Sequence, residues 1–266
     1  MDIIMKIQNE FLNLSQQEKK IADYILRTGD EIKNMNINEL SEKTETSNAT
    51  ITRFAKKMGC KTYVDLKFQI NQISIPKIEE TSRGIADDVF NYYQRVIKNT
   101  QNLIDMKKMD ELIKMIKSAD EIVIVGVSSS GTTASIMATR LMRMGLTASS
   151  YADISWMKMR AKLAKKNNLF IAISTTGTTR LVIDTLKMAK ENNAKIASIT
   201  GFTQNPIADL SDLSLHVYST RFIDNQKFVN SQFSMMYLID VITTYILEDK
   251  EFMSNMSKSR DSIGDI

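Results

Sequence analysis

Glu121-Ile-Val-Ile-Val-Gly-Val-Ser-Ser-Ser-Gly-Thr-Thr-Ala134 decides how the rest of the chain is read. Ile122 to Val125 is a short, apolar, β-branched run, which predicts a strand buried on both faces, as in a parallel sheet. It ends at Gly126. Hydroxyl residues and a glycine follow, and then Ser135-Ile-Met-Ala-Thr-Arg-Leu-Met has helical spacing. A strand, a small hydroxyl-rich loop and a helix start together aim backbone N–H groups and a positive dipole end at the loop. An anion, most simply a phosphate, is the expected guest.

The pattern returns about one βα unit later. Leu169-Phe-Ile-Ala-Ile is a second buried strand, followed by Ser174-Thr-Thr-Gly-Thr-Thr and by the amphipathic Leu181-Val-Ile-Asp-Thr-Leu-Lys-Met-Ala. Neither loop ends in the Gly-Lys-Ser/Thr of a P-loop, and neither has the spaced glycines of a Rossmann fingerprint. Serine and threonine could simply cap the two helices. Two such loops in neighbouring βα units point instead to a shared anion pocket.

The 266 residues suffice for one large or two smaller domains. With 43% hydrophobic and 25% charged residues the composition is globular, and two prolines and nine glycines favour long helices. The single cysteine, Cys60, excludes an internal disulfide framework and fits a reducing cytosol, so a cytoplasmic location is expected. No apolar run approaches the roughly 18 residues of a membrane span, and no basic-then-apolar leader opens the chain.

The net charge of +4 is unevenly placed. Arg53, Lys56, Lys57, Lys61 and Lys67 cluster within 53–67 against Asp65 alone. Upstream, Ser15 with Glu18 and Asn36 with Glu39 read as capping boxes opening two helices. Thr44-Glu-Thr-Ser is a tight connection, and Ser47 caps a third helix that Gly59 stops. Ile21, Ala22, Ile25 and Leu26 form the first apolar stripe, and Ala49, Ile51, Phe54, Ala55 and Met58 are expected to turn inward from the third helix. Short helix, turn, short helix is a helix-turn-helix. Asn48, Thr50, Thr52, Arg53, Lys56 and Lys57 are left facing outward, Asn and Arg suited to base edges, Thr and Lys to phosphates. At the turn position that often takes glycine stands Glu45, at a cost of about 1 kcal/mol if its backbone is left-handed.

Glu18-Lys-Lys-Ile-Ala-Asp-Tyr-Ile-Leu, Ile37-Asn-Glu-Leu-Ser-Glu-Lys and Ser47-Asn-Ala-Thr-Ile-Thr-Arg-Phe-Ala-Lys-Lys-Met-Gly closely resemble the helix-turn-helix domain of RpiR-type bacterial transcriptional regulators. Residues from about 109 to 247 resemble the sugar isomerase (SIS) domain those regulators carry. The resemblance implies a small all-α domain at 1–76, with its motif at about 37–56. An α/β domain follows at 84–266, core about 109–250: a three-layer α/β/α sandwich on a parallel sheet of about five strands. It further implies double-stranded operator DNA as partner, contacted by Ser47, Asn48, Thr50, Thr52, Arg53, Lys56, Lys57 and Lys61. The effector would be a phosphorylated sugar held by Ser128, Ser129, Ser130, Gly131, Ser174, Thr175, Thr176, Gly177 and Thr179, in a regulator of carbohydrate metabolism genes. SIS first loops usually read Gly-x-Gly-x-Ser; here Ser128 stands for the second glycine and Ser130 takes the serine position. Second loops usually read Ser-x-Ser-Gly-x-Thr; here Thr176 replaces the second serine.

The remaining segments complete the sandwich. Ile75-Pro76 and Thr81-Ser-Arg-Gly punctuate the chain, and 85–104 and 109–116 read as helices leading into the first strand. Further strands are expected at 146–151, 195–200 and, at an edge, 213–218, with a helical turn at 205–210. A long apolar helix is expected at 228–247, and polar, frayed residues from Met253 on. A single helix-turn-helix covers too little DNA for strong specificity, so a homodimer or dimer of dimers is expected, with 228–247 and 85–104 as candidate seams. A phosphosugar isomerase needs a general base over the sugar. Glu121 precedes the first strand, Glu191 ends a helix, and His216 is the sole histidine, expected to be structural. The sequence therefore reads as a regulator with no catalytic residue, metal or cofactor. The alternative is a phosphosugar isomerase or lyase with an accessory helical domain.

Overall fold

The computed structural model describes residues 3–28, 31–72, 84–219 and 230–262. Two compact units divide the chain, the first reaching Val96 and the second holding Ile97–Tyr218 and the residues from Asn230 on. The expected break at Ile75-Pro76 falls outside the described residues.

The first unit is helical: α1 (Ile3–Glu10), α2 (Gln16–Thr28), α3 (Ile37–Thr44), α4 (Asn48–Lys57) and α5 (Tyr63–Gln72). The expected caps form. Ser15 N donates to Glu18 Oε2 at 2.8 Å ahead of α2. Asn36 Oδ1 accepts from Glu39 N at 3.1 Å while Asn36 N donates to Glu39 Oε2 at 2.7 Å. Ser47 Oγ accepts from Thr50 N at 3.2 Å. Each satisfies N–H groups that a helix start leaves without partners. Ile21, Ala22, Ile25, Leu40, Ile51, Phe54 and Ala55 are fully buried and join α2, α3 and α4. Between α3 and α4, Glu45 is left-handed (φ 51°, ψ 43°), as its turn position requires, and its carboxylate pairs with Lys20 at 2.7 Å. Two features differ from expectation. α1 was not anticipated, although Ile3, Ile4 and Ile7 bury its apolar side. Ala49 faces outward, because it lies about 200° round the helix from Ile51.

α6 (Ile85–Leu103) follows, and the division between the units falls within it. The second unit then runs α7 (Met106–Ser118), β1 (Glu121–Val125), α8 (Ser129–Arg143), β2 (Ala148–Tyr151), α9 (Ile154–Lys162) and β3 (Asn168–Ser174). It continues with α10 (Arg180–Glu191), β4 (Lys195–Thr200), α11 (Pro206–Leu210), β5 (Leu213–His216), α12 (Phe233–Ile246) and α13 (Lys250–Asp261). The five strands form one sheet in the order β2-β1-β3-β4-β5, every neighbouring pair parallel. Alternation along each strand feeds two cores. Ile122, Ile124, Leu169, Ile171 and Ile173 pack with residues of α7, α8 and α12 on one face. Val123, Val125, Phe170 and Ala172 pack with α9, α10 and α11 on the other. This is the expected three-layer α/β/α sandwich, with β5 at an edge.

α9 was not anticipated. The long C-terminal helix begins at Phe233; positions 228 and 229 of the expected span fall outside the described residues. Its apolar face packs inside its own unit, where Met235, Leu238, Ile239, Ile242 and Ile246 are buried. The residues from Met253 on are not frayed through 261: they belong to α13, whose Phe252 and Met256 pack against the core and whose Asn255 donates to the Met144 carbonyl at 3.3 Å.

Candidate functional site

The strand order builds a crevice. β1 and β3 are neighbours, with Val125 opposite Ala172. The helix that leaves β1, α8, packs on one face of the sheet, and the helix that leaves β3, α10, packs on the other. Their first turns therefore diverge around a gap at the carboxyl end of the sheet, the place where open α/β folds take ligands.

Both helices begin without a side-chain cap. Ser128 before α8 and Thr179 before α10 make no capping hydrogen bond, and neither does Gln232 before α12. In the same unit α7, α9, α11 and α13 are capped by Asp105, Asp153, Asn205 and Asp249. Helix capping therefore does not explain the hydroxyl loops. They leave N–H groups and two positive dipole ends directed at the crevice.

The first loop is tightly folded. A Cβ added at Gly126 would lie 2.6 Å from the Ser130 carbonyl oxygen, and one at Gly131 would lie 2.7 Å from Ala152 Cβ. Ser128, in the second-glycine position, has φ 55° and ψ −130°, a conformation close to glycine-only. Ser128 and Ser129 are exposed at the crevice, whereas Ser130 and Gly131 are buried. Replacing Ser128 by glycine should relieve the backbone and stabilise the protein by about 0.5–2 kcal/mol after the extra freedom of the unfolded chain is subtracted. Thermal denaturation checks this; a midpoint at or below the wild type's rejects it.

The second loop is held from within. The Ser174 hydroxyl, 3% exposed, accepts from Gly177 N at 3.1 Å and lies 3.1 Å from Thr179 Oγ1. Gly177 is left-handed at φ 67°, with Asn205 close beneath it. Asn205 donates to Thr200 Oγ1 and the Phe202 carbonyl and accepts from Ile207 N and Ala208 N, while Ile207 N donates to the Gly177 carbonyl at 3.1 Å. Thr175 and Thr176 are half-buried at the crevice, and Thr176 Oγ1 accepts from Thr178 N at 3.3 Å.

One residue at this centre carried no signal in the sequence. Gln232, 7% exposed, accepts at Oε1 from Ser130 Oγ at 3.4 Å and Thr133 Oγ1 at 3.2 Å. Its Nε2 donates to Thr175 Oγ1 at 3.1 Å. The first turns of α8 and α12 and the loop after β3 thus meet at a single carboxamide.

Across the helical unit, Asn48, Arg53, Lys56 and Lys61 are exposed, and Thr50 and Thr52 are half-buried. Asn48 Nδ2 donates to Asn38 Oδ1 at 2.6 Å, and Arg53 reaches Thr50 Oγ1 at 3.4 Å. Ala49 lies exposed among them. Lys57 is different. Its ammonium donates to the Asn13 carbonyl and to Glu18 Oε2, both at 3.2 Å, pinning α4 to α2.

Residues 1–75 match the helix-turn-helix domain of the rpiR family, and residues 115–245 match the SIS domain. The chain belongs to the rpiR family of helix-turn-helix transcriptional regulators. A helix-turn-helix-type transcriptional regulator of Haemophilus influenzae is 26% identical over 97% of this chain and 94% of its own length. The regulator HexR of Pseudomonas aeruginosa is 24% identical, covering 98% and 95%. Among solved structures, the Vibrio vulnificus NanR protein complexed with ManNAc-6P superposes with a TM-score of 0.62 at 23% identity, covering 98% of this chain and 97% of NanR.

In this rpiR-family chain the candidate acid–base groups lie away from the crevice or are committed. Glu121, at the amino end of β1, pairs with Arg160 and accepts from Asn168. Glu191 ends α10, so it too lies at the opposite edge of the sheet. His216 sits at the carboxyl end of β5 with Nδ1 3.1 Å from Thr200 Oγ1. Burial, and then the positive Lys108, push its pKa down to about 4, so the ring is neutral near pH 7. Among the described residues no group of three or more His, Cys, Asp or Glu could hold a metal ion. No described helix is long and apolar enough to cross a membrane.

Proposed function

We propose that a phosphorylated sugar occupies the crevice between the two hydroxyl loops of this regulator and changes its affinity for operator DNA. The observation that carries the reading is the pair of uncapped helix starts, at Ser128 and Thr179, flanking one crevice in a chain whose other unit is a helix-turn-helix. Amides of Ser129 and Ser130 and hydroxyls of Ser128, Ser129, Ser130, Ser174, Thr175, Thr176 and Thr179 surround the phosphate, with Gly131 and Gly177 shaping the two loops, and the sugar lies along the carboxyl edge of the sheet. NanR, with ManNAc-6P bound on a similar fold, supports a phosphosugar as the class of ligand. The DNA-reading face is Ser47, Asn48, Thr50, Thr52, Arg53, Lys56 and Lys61. Lys57 acts mainly by holding α4 in place.

The protein performs no reaction on the sugar in this reading. It works in the cytoplasm as a regulator of carbohydrate metabolism genes. The test is a thermal-shift panel of hexose, pentose and amino-sugar phosphates, followed by operator titration with and without the best ligand. Coupling of about 1–3 kcal/mol, roughly 5- to 150-fold in operator affinity, is expected. An operator affinity unmoved by a saturating ligand sinks the regulatory reading, and a new sugar phosphate appearing by NMR sinks the non-enzymatic one.

The DNA-binding form is at least a dimer, since two half-sites about one helical turn apart are needed for specificity. Exposed Trp156, Met159 and Leu163 along α9, and Ile85 and Phe90 on α6, are apolar surface for a second copy. Sedimentation at micromolar concentration should give a dimer or larger; a monomer that stays monomeric on DNA contradicts it.

A further inference from the structure

We propose that Gln232 is the positioning residue that registers occupancy of the crevice and passes it to α12. The inference rests on the phosphosugar reading of the site. Among the described residues, Gln232 alone hydrogen-bonds side-chain groups of both hydroxyl loops: Ser130 and Thr133 on one side, Thr175 on the other. Ser130 and Thr175 are among the hydroxyls proposed to hold the phosphate. A phosphate oxygen is an acceptor and takes O–H protons. The Ser130 proton now goes to Gln232 Oε1, so a phosphate that claims it must take it from the carboxamide. Oε1 then keeps only Thr133, whose hydroxyl is shared with the Ser129 carbonyl at 3.1 Å. Having lost one of its two donors, the carboxamide is released to turn its Nε2 toward the phosphate or to withdraw.

Either movement is felt by the helix. The Gln232 carbonyl accepts from Met236 N at 2.9 Å, so this residue is the first link in the hydrogen-bond ladder of α12. α12 has no slack to absorb a shift, because Met235, Leu238, Ile239 and Ile242 are buried in close-packed core. It packs against α7, which follows α6, the helix within which the chain passes from one unit to the other.

Hydrogen exchange of the full chain, with inorganic phosphate and glucose 6-phosphate as probes, tests the proposal on the wild type, Gln232→Met and Gln232→Glu. Methionine keeps the volume and unbranched shape but neither hydrogen-bonding end. In the wild type, a probe should change exchange at 129–133, at 175–179 and in the first turns of α12. In Gln232→Met, binding should stay within about tenfold, the loss of one neutral partner, while the change stays in the loops and leaves α12 unaltered. Gln232→Glu keeps an acceptor for Ser130 and Thr133 but sets a negative charge beside the phosphate, so binding should weaken by more than about tenfold. An α12 response in Gln232→Met equal to the wild type's overturns the proposal, as does wild-type affinity in Gln232→Glu. If the wild-type loops respond to neither probe, the phosphosugar reading itself has failed. If they respond while the variants behave as wild type, only the role of Gln232 has.

Discussion

Gly177→Ala is expected to lower stability by about 2–4 kcal/mol and to weaken phosphate binding with it. Two costs combine. A residue with a Cβ at φ 67° costs about 1–2 kcal/mol in the left-handed region. The added carbon would also lie 2.1 Å from both Cγ and Oδ1 of Asn205, far inside contact distance. Asn205 cannot retreat freely, because its side chain caps α11 and bonds Thr200 and Phe202. Displacing it loses a cap worth about 0.5–2 kcal/mol. In a unit of this size the melting midpoint should fall by about 4–16 °C. Calorimetry reads the first effect and phosphate titration the second. A midpoint within a degree or two of the wild type's, with phosphate affinity intact, means that the loop after β3 is not built as described.

Arg53→Glu should cut operator affinity by about a hundredfold or more. Arg53 is exposed on α4 and anchored only lightly, at 3.4 Å, to Thr50. A guanidinium reading a guanine edge is worth about 1–3 kcal/mol, and reversing the charge against phosphates adds several more. Arg53→Ala isolates the first part and should relax sequence preference, whereas Lys56→Ala should weaken all sequences alike. Folding is not at risk, since the inward face of α4 is Ile51, Phe54 and Ala55. Gel-shift titration on a symmetric operator measures all three variants. Arg53→Glu binding within tenfold of wild type would falsify the placement of α4 in the groove.

Much of this architecture was legible because it rests on local signals. Asn36 with Glu39 and Ser15 with Glu18 are capping boxes whose chemistry lies within four residues. β1 and β3 are apolar runs that could only be buried on both faces. What escaped lay elsewhere. α1 has few strong boundary signals, and α9, although Asp153 caps it, carries an apolar stripe that is largely exposed rather than buried. α13 reads as polar because only Phe252 and Met256 meet the core. Ala49 was legible in principle, since the period that buries Ile51 and Phe54 turns it away. Gln232 was not: its partners are about a hundred and about sixty residues upstream, at separations of 102, 99 and 57, and no periodicity or spacing records such a meeting.

The pinning of Lys57 bears on how many counterions DNA can release. Five basic residues lie between 53 and 67, but they are not five equivalent cations. Lys57 already has Glu18 as its counter-charge, and Lys67 spends its ammonium on the Met35 carbonyl at 2.8 Å. On the proposed reading of α4, Arg53, Lys56 and Lys61 are the cations left to displace condensed ions from the duplex. Each phosphate so neutralised contributes about −0.9 to the slope of log affinity against log salt. On that reading the salt slope is expected to reflect about three phosphate contacts per recognition face, and the protein should hold its operator through a rise in ionic strength better than its basic cluster suggests.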